Sequence, residues 1–404
     1  MSPEQHFCDI AIVGGGPVGI ALALALRDSG LKITVLEARP AQNSTTDPRA
    51  LAISYGSRLL LARLGLWDVL NNVTPIRTIH ISQKHSFGRT VLRADELGVP
   101  ELGYVLPYHT LHRQMQTALQ ASHVDMRGNV HYLAGAAVTQ LQGTAAGATL
   151  RYQHAGKESV LDTKLAVVAD GGKLLEATHP PHIHDYGQSA LIAHLTCSQP
   201  QLTTAFERFT AQGPVALLPF SDGYELVWTV AQENMQTMLD WDNATFLTQL
   251  QQHFGDRVGD FLSVGARTHF PLRLKRAPQC TIPHTVLLGN AAQTLHPVAG
   301  QGFNLGLRDV WELAQAILRS VDESASTVNL DTTNLGSPAM LADFQKSRKL
   351  DRDAGIRFTD SLVRLFSNDL FLLSGGRAAA FSVLDNLPNV KKFVAKRMMF
   401  GSNG

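Results

Sequence analysis

Cysteine is scarce in this chain, and its scarcity removes two classes of protein. The 404 residues contain three cysteines, Cys8, Cys197 and Cys280, which lie far apart and form no CxxC pair. An odd number of widely spaced cysteines argues against a disulfide framework and against a zinc site. The same pattern fits a reducing environment, and we expect the protein to be cytoplasmic.

An excess of one charge is also missing. The chain has 35 basic and 34 acidic side chains, which give a net charge of +1. Because no overall field is available to attract a polyanion, we expect no nucleic-acid partner. With 44% hydrophobic and 17% charged residues, the composition is that of a globular protein, and the length suits two closely packed domains.

No hydrophobic run of the kind that directs or anchors a protein is present. The best candidate, residues 10–26, is uncharged for 17 residues (26 − 10 + 1), but its flank carries Glu4 and Asp9 and no basic residue. Secretory signals begin with basic residues, so we predict neither a signal peptide nor a membrane span. HExxH, GK[ST] and GxSxG segments, which indicate other enzyme classes, do not occur in the sequence.

A glycine fingerprint stands inside that apolar run. The strand-like "IAIV" leads into "GGGPVG" (14–19), a helix-like stretch follows, and "ITVLE" ends at Glu37. In this order, Gly14, Gly16 and Gly19 allow a tight turn and a close approach of a pyrophosphate to the helix start. Glu37, 23 residues after Gly14 (37 − 14), is placed to bind both ribose hydroxyls. The pattern predicts a dinucleotide site that suits FAD or NAD better than NADP.

Two later segments also combine a buried strand with glycine. "VVADGG" ends at Asp170 and, by itself, is no more than a turn that closes a strand. "GNAAQTLHPVAGQGFNLG" (289–306) is almost uncharged and precedes the helix-like "LRDVWELAQAILRS". Glycine lets another surface approach the backbone, and a helix start presents free N–H groups. We therefore expect something flat or anionic beside this segment.

Residues 49–72, with leucines at helical spacing, predict a helix.

In this order and at these distances, the three segments resemble those of the FAD-dependent aromatic-ring monooxygenases of the para-hydroxybenzoate hydroxylase fold. The resemblance covers nearly the whole chain, and "LHPVAGQGFNLGLRD" is most similar to the branch that hydroxylates the ring precursor of ubiquinone. It implies an α/β fold with a Rossmann-like FAD-binding domain containing a parallel sheet, an inserted substrate domain with an antiparallel sheet, and C-terminal helices. The expected divisions are 1–182 and 276–340 for the FAD-binding domain, 183–275 for the substrate domain and 341–404 for the helical region.

The resemblance also assigns roles to the 289–306 segment. Gly300 and Gly302 would form a flat floor for the flavin ring, and N–H groups near Phe303 and Asn304 would face its pyrimidine edge. Asn290 stands where most of the family has an aspartate that contacts the ribityl hydroxyls. Asparagine keeps an acceptor oxygen there and removes a charge.

Three further cofactor contacts are implied elsewhere. Arg49 matches an arginine that approaches the flavin from the opposite side, and Arg113 matches a helix residue that contacts the pyrophosphate. Either could instead be a solvated arginine. Asp170 matches a family Asp-Gly motif associated with FAD and with the nicotinamide donor. The serine and arginine that usually follow this motif are missing from "GGKLLE".

Substrate contacts are implied by the same resemblance. His296 and Pro297 stand where the family places residues over the reacting edge of the flavin, and a histidine there could take a phenolic proton. His296 could equally cap its loop. Phe206 and Phe220, around "GPVALLPF", are predicted either to form the wall of the substrate pocket or to be ordinary core.

The implied reaction is hydroxylation of the ring of a polyprenylated methoxyphenol in ubiquinone biosynthesis. NAD(P)H would reduce FAD, and O2 would supply the inserted oxygen through a flavin C4a-hydroperoxide. Alternatives are a hydroxylase that acts at another carbon, a prenyl-lipid reductase or epoxidase, and a non-catalytic FAD-bound subunit that contacts other ubiquinone-biosynthesis proteins. The apolar C-terminal part with its basic end would either dock on the core or rest on the inner face of a membrane.

Overall fold

The computed structural model describes residues 4–40, 47, 49–84, 88–124, 129–144, 146–210, 212–296, 300–321, 331–366 and 386–401. The strands in these ranges are β1 Glu4–Val13, β2 Ile33–Glu37, β3 Ala50–Ser54, β4 Thr74–Ile76, β5 Thr78–Gln83, β6 Arg89–Arg93, β7 Gly103–Pro107, β8 Val130–Ala134, β9 Ala137–Gly143, β10 Ala148–His154, β11 Lys157–Val168, β12 His182–Cys197, β13 Thr204–Thr210, β14 Gly213–Phe220, β15 Gly223–Ala231, β16 Phe261–Val264, β17 Thr268–Arg276, β18 Thr281–Ile282, β19 Thr285–Leu287 and β20 Gln293–Thr294. The helices are α1 Pro17–Leu26, α2 Tyr55–Arg63, α3 Ala94–Leu97, α4 Tyr108–Val124, α5 Met235–Asp240, α6 Asn243–Phe254, α7 Gln301–Ser320, α8 Pro338–Phe366 and α9 Pro388–Phe400.

The first sheet has a parallel centre. Its order is β18-β19-β11-β1-β2-β8, and β1 pairs in parallel with both β11 and β2. The central strands are apolar along their length because both of their faces are covered. Helices α1, α4 and α7 pack on one face, and the antiparallel β9 and β10 cover the other. This layering brings the carboxyl ends of β1, β11 and β19 to one edge, where ligands of such sheets bind.

The second sheet is almost entirely antiparallel. Its order is β20-β17-β12-β15-β14-β13-β5-β6, and β13 with β5 is a parallel pair. Helices α5 and α6 bury Met235, Met238, Phe246 and Leu250 against one face. The opposite face turns toward β3, the start of α7 and α9. The predicted α/β fold, with one parallel and one antiparallel sheet and C-terminal helices, is confirmed.

The prediction of a helix over residues 49–72 was wrong for its first part. Residues 50–54 form β3, which pairs with β7 from Ala50↔Pro107 to Ser54↔Gly103, and α2 begins only at Tyr55. The apolar residues of "ALAIS" suit either a helix or a strand. The hydrogen-bonding partner, more than fifty residues away along the chain, decides between them.

Strands β5 and β6 cross the predicted domain division. They lie before residue 182, yet they pair with β13 and with each other in the second sheet. The range 1–182 therefore contributes strands to both sheets. The division of the chain at residues 182, 275 and 340 stays a prediction.

Candidate cofactor site and adjoining cavity

The three fingerprint glycines do different work. A Cβ on Gly14, whose φ is +110°, would lie 2.6 Å from the carbonyl oxygen of Ala169, and a Cβ on Gly19 would collide with the carbonyl oxygen of Gly14. These two glycines allow the loop to pack on its neighbours. A Cβ on Gly16 would meet no atom within 4 Å. Gly16 is the N-cap of α1, so the free N–H groups of the first turn border open space that fits a phosphate group.

Glu37 ends β2 against this loop. Its Oε2 accepts a hydrogen bond from the N–H of Gly15 at 2.6 Å, and its Oε1 accepts from the backbone N–H and the Nε of Arg39 at 2.9 and 2.8 Å. Burial alone would raise the pKa of Glu37, but the hydrogen bonds from Arg39 lower it below its ordinary value. The side chain is thus an ionised acceptor with lone pairs left for ribose hydroxyls.

The helix α4 touches the glycine loop through a residue that the sequence did not single out. His112 is buried, and its Nε2 lies 2.8 Å from the carbonyl oxygen of Gly15. Burial lowers the pKa of His112, so the neutral ring donates this hydrogen bond. The adjacent Arg113 is exposed, and its contact with a pyrophosphate stays a prediction. The sequence offered one indication of His112, because it lies one residue before Arg113, which the resemblance assigned to the pyrophosphate.

Arg49 directly precedes β3, and its carbonyl oxygen accepts a hydrogen bond from the N–H of Tyr108 at 2.9 Å. Its guanidinium pairs with Asp47 at 2.5 Å and stands over the ring of Tyr108, 5.7 Å from the centroid. The hydrogen bond that Arg49 donates to Asp47 raises the pKa of Arg49, which therefore stays a cation at all ordinary pH values. Its predicted approach to the flavin stays a prediction.

Asp170 and Asn290 meet at the carboxyl ends of the parallel strands. Asp170 accepts hydrogen bonds from the N–H groups of Gly172 at 2.7 Å and Leu174 at 2.8 Å, so its carboxylate closes its own turn. Asn290 is exposed in a short 3-10 helix, and a Cβ on Gly172 would lie 3.6 Å from its carbonyl oxygen. The structure brings the two residues together, and their contacts with FAD stay predictions.

The start of α7 provides the second set of free N–H groups. Gly300 caps this helix with a φ of +59°, and a Cβ there would come within 3.0 Å of the Cβ of Ala52. A Cβ on Gly302 would meet nothing within 4 Å. Phe303 is partly buried and packs against the core of the first sheet. Small residues at an open helix start fit the approach of a flat, electron-rich ring.

Asn304 holds that helix start in place. Its Oδ1 accepts hydrogen bonds from the N–H of Ser54 at 2.8 Å and the hydroxyl of Ser57 at 2.7 Å. Its Nδ2 donates to the carbonyl oxygens of Ala52 at 3.1 Å and Gly300 at 2.7 Å. The buried amide therefore ties α7 to β3 and α2. Backbone groups, and not this side chain, are left to face a cofactor.

His296 lies at the end of the described segment before α7. Its ring is buried and packs edge-on against Tyr186, with centroids 5.3 Å apart. Burial lowers the pKa of His296 to about 4, so the ring is neutral at pH 7. Its role as a base stays a prediction. Pro297 lies outside the described residues.

A cavity of about 320 Å³ separates the second sheet from the start of α7. Alternate residues of β5, β13, β14 and β15 form one wall, because successive side chains of a strand point to opposite faces. Helix α9 covers it with Val394, Ala395, Met398 and Met399, and Gly300 lies at the floor. The cavity is almost wholly apolar, and it adjoins the helix start that suits the flavin.

The two predicted wall residues differ in position. Phe206 borders the cavity, but its ring packs on the core side against Phe254 at 5.7 Å and Tyr224 at 6.0 Å. Phe220 is not among the described residues that line the cavity, and its ring lies 6.0 Å from that of His194. Substrate contact by either ring stays a prediction.

A cluster of buried aspartate and arginine side chains connects α7 to α8, and it was not predicted from the sequence. Asp309 is fully buried and accepts hydrogen bonds from Arg348 at 2.7 Å and Arg352 at 3.2 Å. Asp351 pairs with Arg348 at 2.6 Å and Arg308 at 2.8 Å. The charges on "SRKLDRD" at helical spacing were the available signal, but their burial depends on how α8 packs on α7.

Comparison with known proteins places the chain in a family. A family model described as an FAD binding domain matches residues 7–336. The chain belongs to this family. The chain is similar to ubiquinone hydroxylase UbiL from Rhodospirillum rubrum, 30% identical over 97% of this chain and 89% of the relative. It is also similar to 3-demethoxyubiquinol 3-hydroxylase from Escherichia coli, 33% identical over 77% of this chain and 80% of the relative.

A solved structure supports the same fold for this chain. p-Nitrophenol 4-monooxygenase PnpA from Pseudomonas putida superimposes with a TM-score of 0.76 at 15% identity, over 99% of both chains. This match shows the fold, and the family model and the relatives above support an FAD-dependent flavoprotein of the monooxygenase class. Among the described residues, no cluster of three or more metal-binding side chains occurs, and no helix is both long and apolar enough to cross a membrane.

Proposed function

We propose that the protein hydroxylates the aromatic ring of a polyprenylated methoxyphenol in ubiquinone biosynthesis, as a 2-octaprenyl-6-methoxyphenol hydroxylase does, with NAD(P)H and O2 as co-substrates. The observation that carries the proposal is the apolar cavity beside the start of α7. An apolar phenol with a prenyl tail suits such walls, whereas a charged benzoate would leave its carboxylate without a basic partner among the lining residues. The relatives named above are ubiquinone-pathway hydroxylases, which favours the same substrate class.

The chain's own residues have separate tasks in this reaction. FAD, when bound, supplies the redox chemistry. The start of α1 binds its phosphates and Glu37 its ribose, while the first turn of α7 places N–H groups that stabilise negative charge. The sheet and α9 exclude water from the cavity, which protects reactive oxygen chemistry from side reactions.

Isotope labelling tests the reaction. With a short-chain prenyl methoxyphenol, reduced nicotinamide and ¹⁸O2, the product should gain one labelled oxygen on the ring while nicotinamide is consumed. A Gly302→Leu variant should lose most of this product and keep its fold, because the new side chain enters open space on the floor. Fragmentation that places oxygen on the prenyl chain would indicate an epoxidase, and a gain of hydrogen a reductase. Absence of any conversion by the FAD-loaded protein would leave the scaffold alternative.

We also propose that α9 contacts anionic lipid. Its outward apolar residues are Val390 and Phe393, with Leu387 exposed just before the helix, and Lys392 and Lys396 are exposed beside them. The basic residues would meet lipid head groups while the apolar ones enter the interface. Since the same helix covers the cavity, a bilayer-resident tail would reach the site directly.

The remaining C-terminal residues have other partners. Lys391 is buried and pairs with Glu96 at 2.8 Å, and the inward face of α9 lines the cavity. Changing Lys392 and Lys396 to Gln should therefore reduce sedimentation with anionic vesicles at low salt, while Lys157→Gln, an exposed change on β11, should not. Equal recovery with and without vesicles would favour docking on the core alone.

A further inference from the structure

The apolar cavity contains one carboxyl group. Among the lining residues that the structure describes, Glu207 is the sole ionisable side chain. It lies on β13, and its register partners are Ala216 on β14 and Ile81 on β5. Both partners also line the cavity, so Glu207 shares their face of the sheet. The side chain is partly exposed because it borders the open volume.

The titratable neighbours of Glu207 face away from the cavity. Arg208 follows it on β13 and donates from Nε to the carbonyl oxygen of His253 at 3.1 Å. His80 is the register partner of Phe206, and their ring centroids are 5.8 Å apart on the opposite face of the sheet. The other polar residues that line the cavity are neutral: Ser54, Thr229, Gln301 and Asn304.

An unpaired carboxylate in apolar surroundings is unfavourable, so such a group favours its neutral form. Burial raises the pKa of Glu207 to about 7. A carboxyl group of this kind, in a cavity beside a cofactor site, exchanges a proton near neutral pH, which is typical of sites that bind or transfer protons. Nothing in the packing of the sheet requires a carboxyl group at this position.

We propose that Glu207 binds the hydroxyl group of a phenolic substrate and accepts its proton, a role that rests on the ring hydroxylation proposed above. The phenolic O–H bond breaks, the proton moves to a carboxylate oxygen of Glu207, and the electron pair stays on the phenolate oxygen. The ring gains electron density, which is what attack on an electrophilic oxygen atom needs. The wall that carries Glu207 faces Gly300 and Gln301, so a phenol anchored there presents its ring toward the floor.

This assignment gives Glu207 the task that the sequence suggested for His296. The pKa of His296 is lowered to about 4, which makes it the weaker base of the two. His296 also packs on Tyr186 and is not among the described residues that line the cavity.

A binding comparison tests the anchor without turnover. The FAD-loaded protein is titrated with a short-chain prenyl methoxyphenol and with its methyl ether, which has no proton to give. The wild-type protein should prefer the phenol by about 10-fold, and Glu207→Leu should remove the preference while the affinity for the ether stays the same. Glu233→Gln, an exposed change in the same half of the molecule, is the control. A preference that survives in Glu207→Leu would overturn the proposal.

A pH profile tests proton transfer. In the wild-type protein kcat/KM should rise with pH through about 7, as the carboxyl group of Glu207 ionises. Glu207→Gln should lack this inflection and be about 10²-fold slower at pH 8, with Glu207→Asp in between. A nitro-substituted phenol, already ionised at pH 8, should recover most of the loss. An unchanged profile in Glu207→Gln would exclude proton transfer by this group.

The two proposals fail in distinguishable ways. If the wild-type protein shows no ring hydroxylation at all, the proposed function is wrong, and the phenol-against-ether comparison still decides whether Glu207 is an anchor. If hydroxylation proceeds but Glu207→Leu keeps the preference for the phenol, the function stands and Glu207 has no such role. Melting temperature and FAD content confirm that each variant is folded.

Discussion

The proposed cofactor side of the site is made from backbone, whereas the proposed substrate side is made from side chains. On the cofactor side, the starts of α1 and α7 present free N–H groups, and Gly16 and Gly302 keep the space beside them open. On the proposed substrate side, apolar side chains from the second sheet, β3, β4 and α9 enclose a cavity around Glu207. Backbone sites need particular residues in a fixed local order, so they leave motifs. Side-chain cavities need only the right sizes in the right places.

The largest effect is expected from Gly16→Val, which tests whether the space beside the start of α1 holds a phosphate of FAD. The new side chain meets no protein atom near its Cβ, so the fold should survive with a cost of about 1 kcal/mol at the helix cap. FAD should be lost completely, because the side chain occupies the space for a phosphate. Released flavin after denaturation measures the result, with Gly355→Ala on α8 as a control. FAD retained at the wild-type level would mean that the phosphates lie elsewhere.

The next largest effect is expected from the cluster of buried ions around Asp309, which packs against α7. Asp309→Asn leaves Arg352 buried without its counter-charge and Arg348 with Asp351 as its remaining partner, which should lower the free energy of unfolding at pH 7 by about 3 kcal/mol. Asp343→Asn, on the exposed side of α8, should change it little. Urea unfolding of the two variants gives the comparison. An equal effect from both would show that the cluster contributes no more than a surface ion pair.

The pH dependence of the stability difference between wild type and Asp309→Asn follows from the direction in which the pKa of Asp309 is shifted. Burial would raise the pKa of Asp309, but Arg352 and Arg348 lower it below its ordinary value. A group with a lowered folded pKa stabilises the fold above its unfolded pKa of about 4 and loses this effect as pH falls through the folded value. The stability difference between wild type and Asp309→Asn should therefore narrow on acidification below about pH 4. A constant difference would assign the effect to packing alone.

The smallest effect is expected on the side-chain side, where sizes can be varied. Ala216→Leu, directly opposite Glu207 on β14, should reduce the affinity for a prenyl phenol by about 10-fold through lost volume. FAD content should not change, since the cavity wall lies apart from the glycine loops. Isothermal titration and flavin absorbance separate the two effects, and the exposed Ala244→Leu on α6 is the control. A parallel loss of FAD would break the distinction between the two sides.

The motifs predicted the local structure around the glycine fingerprint, and the cofactor contacts of these residues stay predictions. The strand–turn–helix context of Gly14, Gly16 and Gly19 is local, and the structure places Glu37 on the loop through the N–H of Gly15. His112 was missed because its partner, the carbonyl oxygen of Gly15, lies 97 residues away in sequence. Asn304 was selected because the resemblance places the 289–306 segment beside the flavin. Its four hydrogen bonds within the protein could not be predicted from the sequence.

The sequence by itself determined the class of fold and the FAD-binding family, and it predicted the loops proposed to hold the cofactor, because glycine at a fixed spacing is a local steric requirement. Only the tertiary structure decided that β3 is a strand, that α9 covers the cavity and that Asp309 is buried among arginines. It also decided that Glu207 is enclosed by apolar side chains. Burial and pairing are properties of distant segments brought together. The same glutamate on an open strand would be an ordinary surface carboxylate.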